Sequence, residues 1–236
     1  MRTYDICYSD RESRNQFIAD ELHAYLGHSI LNVGGGGENF LKSFLPKETQ
    51  YVEIDIAGSP DYLINLETDL PLPFKDNSFE TTIATDVLEH IETFHEVFEE
   101  LIRITNRYVI ISLPNSFVDT FAILKNRPYK NDNSELRRQS YGKYMKYYGL
   151  PYSRPPDRHK HFLTYTDIVE FIQYHEKQGL YKIKEIFPIG YKRKNPLKNF
   201  ALSFLGLTLG KEARMNLSCP TCWAILEKKQ EPAMKE

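Results

Sequence analysis

Cysteine is scarce in this chain, and long apolar runs are missing. The 236 residues hold three cysteines, Cys7 alone and the pair Cys219-Pro-Thr-Cys222, too few for a disulfide framework and suited to a reducing compartment. The pair could be redox-active or half of a zinc site. A tetrahedral site would need two further ligands at suitable spacing, and a Cys-x-x-Cys opening a strand lacks the helix N-terminus that lowers a thiol pKa, so no metal is expected. No stretch approaches the roughly 18 consecutive apolar residues of a spanning helix. The first ten residues show no basic region followed by an apolar core, so no secretory signal is expected. Internal repeats are absent. These absences exclude a disulfide scaffold, a membrane-spanning helix and a solenoid, and a cytoplasmic protein is expected.

What is present is ordinary globular composition, 41% hydrophobic and 26% charged, enough for one sizeable core; a single domain over 1–236 is expected. The formal net charge of −2 hides a polarity. Residues 1–100 carry 20 Asp+Glu against 6 Lys+Arg, leaving 12 against 24 for the remainder, so the two parts face different partners.

The chain is organised around Ser29-Ile-Leu-Asn-Val33 followed by four glycines, Gly34 to Gly37. An aliphatic run ending in Gly reads as a buried parallel strand turning sharply into the next element. Phe40, Leu41, Phe44 and Leu45 then mark one face of a short helix that Pro46 ends. Backbone can approach a ligand at such a turn, although a glycine-rich surface turn would look the same. Gln50-Tyr-Val-Glu-Ile-Asp55 is a second strand ending in an acid, 21 positions after Gly34, near the spacing at which such an acid meets a ribose hydroxyl.

The remaining elements alternate. Residues 10–26 form an N-terminal helix capped by Asp10 or Ser13, within a leading segment 1–28. Residues 61–65 and 79–85 form the third and fourth strands, separated by a proline-rich loop. Phe94, Val97, Phe98, Leu101 and Ile102 define the clearest helix, with Thr93 and Glu96 at capping-box spacing. Strands at 107–113, 180–187 and 223–226 and a helix from Thr164 complete a parallel sheet covered on both faces. A basic, Tyr-rich segment at 125–161 and a second excursion at 190–216 break the alternation; both are expected to cap the substrate side, with local helix around 134–148.

Four stretches carry a family likeness: Ile30-Leu-Asn-Val-Gly-Gly-Gly36, Asp55, Leu70-Pro-Leu-Pro-Phe-Lys-Asp-Asn-Ser-Phe79 and Asp86-Val-Leu-Glu-His-Ile91. Together they resemble the class I S-adenosylmethionine-dependent methyltransferases, above all the type 11-like enzymes. His159-Lys-His-Phe-Leu-Thr-Tyr165 is similar to members from polysaccharide and cell-surface glycan pathways. The resemblance implies an α/β, doubly wound, mostly parallel seven-stranded sheet of order 3-2-1-4-5-7-6 with the last strand antiparallel, carrying helical cap insertions. It implies a cofactor-binding half at 29–115. There Asn32, Gly34, Gly35 and Gly36 would lie under the cofactor and Asp55 and Ile56 at its ribose. Asn65 and Leu66 would edge the adenine, and Asp86 and Val87 would sit at the methionine end. Two positions depart from the pattern, Asn32 where an acid is common and Glu38 at the third glycine.

Charge independently favours S-adenosylmethionine over a dinucleotide, since Glu38, Asp55, Asp69, Asp86 and Glu89 would attract a sulfonium and an ammonium and repel a pyrophosphate. For a hydroxyl or ammonium acceptor, His159 and His161 are the candidate bases, with His90 behind them. Ten Lys+Arg against three acids in 125–161 suit a small anionic acceptor such as a sugar phosphate or a nucleotide- or lipid-linked sugar, with Arg154 and Arg158 among its contacts. Nucleic acid is disfavoured by the acidic first part. The apolar residues 200–209 suit a lipid tail, a peripheral contact at the inner membrane surface, or packing on the cap. Two rivals stay open, a nucleotide-sugar oxidoreductase or epimerase and a non-catalytic interaction module that retains the fold.

Overall fold

The aliphatic runs line up side by side in one eight-stranded sheet, of order β1-β7-β8-β6-β5-β2-β3-β4. The structure is a computed structural model that describes residues 4–5, 8–118, 159–190, 204 and 206–229. The strands are β1 (Tyr4–Asp5), β2 (Ser29–Val33), β3 (Gln50–Asp55), β4 (Tyr62–Leu63), β5 (Phe79–Thr85), β6 (Thr105–Pro114), β7 (Tyr181–Gly190) and β8 (Thr221–Lys228). Without the two-residue edge strand β1, the order is 3-2-1-4-5-7-6. Only β8 runs antiparallel to its neighbours β6 and β7.

Both faces are covered, which is why β5 is buried at nearly every position and β6 is buried without a break from Tyr108 to Pro114. On one face lie α3 (Phe94–Ile104) and α4 (Tyr165–Lys177), whose Phe98, Leu101, Ile168 and Ile172 pack with Leu31, Ile54 and Ala84. On the other, α1 (Arg11–Glu21) sends Phe17 and Ile18 onto Ile30, Ile83 and the fully buried Trp223. Asp10 and Ser13 both cap α1, each side chain bonding the other's backbone.

Four local expectations change. The segment after the glycines yields only a five-residue α2 (Phe40–Phe44), in which Leu41 is buried but Phe44 is exposed. The third strand shortens to β4 because the Asp61 carboxylate turns back to accept the Glu53 N–H at 2.8 Å. At α3 no capping box forms: the Thr93 hydroxyl donates instead to the Leu66 carbonyl at 3.3 Å. The added strand β1 pairs parallel with β7, held by Tyr4 edge-on against Phe17 and Phe187; two residues are too few to show a strand period.

The helix expected around 134–148, Arg154 and Arg158 lie outside the described residues. Of the second excursion, α5 (Lys211–Ser218) lies beside α4, where Asn216 exchanges hydrogen bonds with Thr166. Among the described residues no helix is long and apolar enough to cross a membrane. Cys219 and Cys222 are buried and form no disulfide, and burial pushes the Cys222 thiol well up, so it is inert at neutral pH.

Candidate functional site

Register brings the predicted site residues to one edge. Val33 lies opposite Ile54 on β3 and Ala84 on β5, so the chain leaves β2, β3 and β5 side by side, through Gly34, Asp55-Ile56 and Asp86-Val87. β2 is where the strand order reverses, which opens the crevice that ligands occupy in open α/β sheets.

The glycine loop is tied down by carboxylates. Gly34 N–H donates to the Ile54 carbonyl, Gly36 N–H to Asp55 Oδ2 at 2.7 Å and Gly37 N–H to Glu53 Oε1 at 2.6 Å. Gly34 has φ +74° and a side chain there would collide with Val87, so only glycine turns the chain this closely. Asp55 also accepts from Ala57 N–H at 3.2 Å. Ile56 beside it is exposed, an apolar side chain available to a flat ring.

Glu53 is fully buried under the loop, and sequence reasoning missed it. Tyr51 donates its hydroxyl to Glu53 Oε2 at 2.6 Å, while Asn32 Nδ2 donates to the Tyr51 oxygen at 2.9 Å. Burial, reinforced by this carboxylate, raises the Tyr51 hydroxyl far above its ordinary value, so it remains a donor. The acid absent at Asn32 is thus present one strand over, and Asn32 is a buried donor beneath the loop. Glu38 points outward and is exposed. The signal was available: Glu53 and Asp55 lie two apart on one strand and share a face.

Asp86 sits at φ +55°, rare for a non-glycine residue. Its Oδ1 accepts from the Ser112 hydroxyl at 2.7 Å and its Oδ2 from Arg14 at 2.5 Å. The second missed feature is this arginine pair. Arg11 and Arg14, three apart on α1, bring guanidinium groups to Gly36 and Asp86 respectively. Arg14 Nε is buried with no hydrogen-bond partner among the described residues. Asn65 and Leu66 form the turn after β4, where Asn65 Oδ1 accepts from Glu67 N–H.

Of the histidines, His161 Nε2 donates to the Ile91 carbonyl at 2.7 Å, which leaves Nδ1 as its accepting nitrogen. His161 lines a cavity of about 190 Å³ with Phe94, His95, Leu163 and Phe171. His159 is buried against Glu89 and His90 instead. The two candidate bases therefore occupy different environments.

The model of a family described as a methyltransferase domain matches residues 11–184. Among solved structures, the chain is similar to the methyltransferase domain of bacterial CtHen1, at 13% identity over 93% of this chain and 98% of that one, TM-score 0.54. It is also similar to the [4+2]-cyclase SpnF, at 12% identity over 97% and 87%, TM-score 0.50. These two likenesses concern the fold. No curated protein matches the sequence.

Proposed function

This chain belongs to the methyltransferase-domain family, and from that premise we propose that it transfers a methyl group from S-adenosylmethionine to a small anionic acceptor such as a nucleotide- or lipid-linked sugar. The cofactor supplies a methyl carbon activated by a positively charged sulfur. One observation carries the choice of cofactor. The loop amides that would hold a pyrophosphate are already spent on Asp55 and Glu53, and α2 is too short to lend a useful dipole. A dinucleotide would meet two carboxylates where its phosphates must lie; a sulfonium and an ammonium find complementary charge.

In this reading Asn32, Gly34, Gly35 and Gly36 form the floor, and Asp55 accepts from both ribose hydroxyls through the lone pairs left by Gly36 and Ala57. Ile56, Asn65 and Leu66 flank the adenine. Asp86 and Val87 bound the methionine end. The orphaned Arg14 Nε and the neighbouring Arg11 suit the cofactor's α-carboxylate, the donor pair such a group needs. With the methyl donor bound, an oxygen of the acceptor would be aligned with its methyl carbon, the electrons of the carbon–sulfur bond would leave on sulfur, and His161 through Nδ1, or His159, would take the acceptor proton. Alignment contributes up to about 7–11 kcal/mol in well-oriented systems.

The acceptor class rests on the basic segment 125–161, including Arg154 and Arg158. The exposed Phe204, Leu207 and Leu209 support a lipid-linked acceptor with a peripheral contact at the inner face of a membrane. The test is transfer of radiolabelled methyl to nucleotide-linked sugars, lipid-linked sugars and RNA at several salt concentrations, with wild type and an Arg154→Ala, Arg158→Ala double variant. Turnover of sugars that falls in the variant is expected. Steeply salt-dependent methylation of RNA alone would overturn the acceptor reading.

A further inference from the structure

We propose that Glu89, His90 and His159 form a binding site for a divalent first-row transition-metal ion beside the methyl-transfer centre. Residues 69 positions apart in the chain converge here: the His90 Nε2 and the His159 Nε2 each lie 3.7 Å from the same oxygen, Glu89 Oε1. The three donor atoms lie within 4.8 Å of one another. Ligand atoms about 2.0–2.2 Å from a common ion are spaced on this scale. The imidazole rings stand perpendicular, centroids 4.7 Å apart, so their nitrogens approach the carboxylate from different directions, as ligands around one ion do.

The arrangement is held by bonds that do not use the donor atoms. Lys160 N–H donates to the Glu89 carbonyl at 2.7 Å, His161 to the Ile91 carbonyl at 2.7 Å, and His90 N–H to the Val87 carbonyl at 3.0 Å. The segment 159–161 is thereby stitched onto the turn 89–91. Lys160 Nζ is engaged by Glu67 and Glu92. Glu89 is 0% and His159 7% exposed, and a buried carboxylate beside two imidazoles is a donor set that favours manganese, iron, cobalt or zinc over the hard ions magnesium and calcium.

Three protein ligands leave coordination positions open, the pattern of sites that act on a substrate. Glu89 comes three residues after Asp86, on the loop leaving β5, and His159 lies near the end of the basic segment 125–161. An ion here would lie near the methionine end of the cofactor, and its open position would suit an acceptor hydroxyl, whose proton it would make easier to lose. This last role rests on the proposed methyl transfer and, with His159 held as a ligand, leaves His161 to take the proton; the ion site itself does not rest on it.

The test uses tag-free, chelator-treated full-length protein titrated with Co²⁺ and followed by its visible absorption. Mn²⁺ competition, circular dichroism and calorimetry with S-adenosylhomocysteine are measured alongside. One equivalent with bands of nitrogen and oxygen ligation is expected, displaced by Mn²⁺. Affinity should fall by about 100-fold or more in Glu89→Gln and in His159→Ala, and likewise in His90→Ala, whose side chain is the least buried of the three. Folded variants should still bind S-adenosylhomocysteine, so loss of metal and loss of cofactor are read separately. A spectrum identical to that of the hydrated ion, wild-type affinity in folded His90→Ala, or a thiolate charge-transfer band placing the ion at Cys219 and Cys222 would each overturn the site.

Discussion

Replacing Asp55 by Asn changes one atom and one charge at the point where loop and cofactor meet. Asp55 Oδ2 holds the Gly36 amide at 2.7 Å and Oδ1 the Ala57 amide at 3.2 Å. An asparagine keeps one accepting oxygen, which the shorter bond to Gly36 claims, and presents an NH₂ where the second ribose hydroxyl needs an acceptor. The loss is one charge-assisted hydrogen bond, roughly 1.5–3 kcal/mol, or about a 10- to 150-fold weaker Kd. Asp55→Ala removes both ribose contacts, roughly 3–6 kcal/mol, and also frees the Gly36 amide, so it should lower stability by about 1 kcal/mol as well. Calorimetry with S-adenosylhomocysteine reads the first effect and urea unfolding of the unliganded protein the second. An Asn variant that binds as tightly as wild type would refute the placement of the ribose at Asp55.

Gly34→Ala should cost roughly 1–2 kcal/mol for the left-handed backbone and roughly 1–3 kcal/mol for the collision with Val87. Adding Val87→Ala should recover only the second part; a double-mutant cycle by urea unfolding with no coupling would contradict the contact. His175 is packed edge-on against Phe171 and its pKa is lowered by burial and by His95. The unfolded chain therefore binds the proton first, so stability is complete above the ordinary histidine pKa of about 6.5 and is lost as pH falls through the lower folded value. Urea midpoints should drop between pH 7.5 and pH 5, and His175→Phe should flatten that slope; an unchanged slope would count against it. Arg14→Met should weaken S-adenosylhomocysteine binding by about 10-fold or more through loss of a charged donor, while binding of adenosine, which has no carboxylate, stays the same.

Most of the frame was legible because local pattern and tertiary position agree. The strands at 29–33, 50–55 and 79–85 are aliphatic and β-branched runs bounded by turn residues. Fixing their C-terminal ends places Gly34, Asp55 and Asp86 without further information. Asp10 and Ser13 could be read as caps because the bonds are local. The Thr93 capping box failed for a nonlocal reason: the Leu66 carbonyl, 27 residues away, captures the hydroxyl. Glu53 could have been read from its spacing, two residues before Asp55 on the same face of β3, but its bond to Gly37 N–H appears only when the loop is folded over it. Arg11 and Arg14 reach the loop and Asp86 only once α1 is docked, and Glu89 and His159 become neighbours only when 159–161 folds onto 89–91.

The central claim is that the carboxylate-tethered glycine loop holds a cationic methyl donor and rejects a pyrophosphate. Its most direct measurement is calorimetry of the unliganded protein with S-adenosylmethionine, S-adenosylhomocysteine and NAD under one set of conditions. The account predicts binding of the first two at one site and none of NAD. Binding of NAD with no heat from either sulfur compound would contradict it.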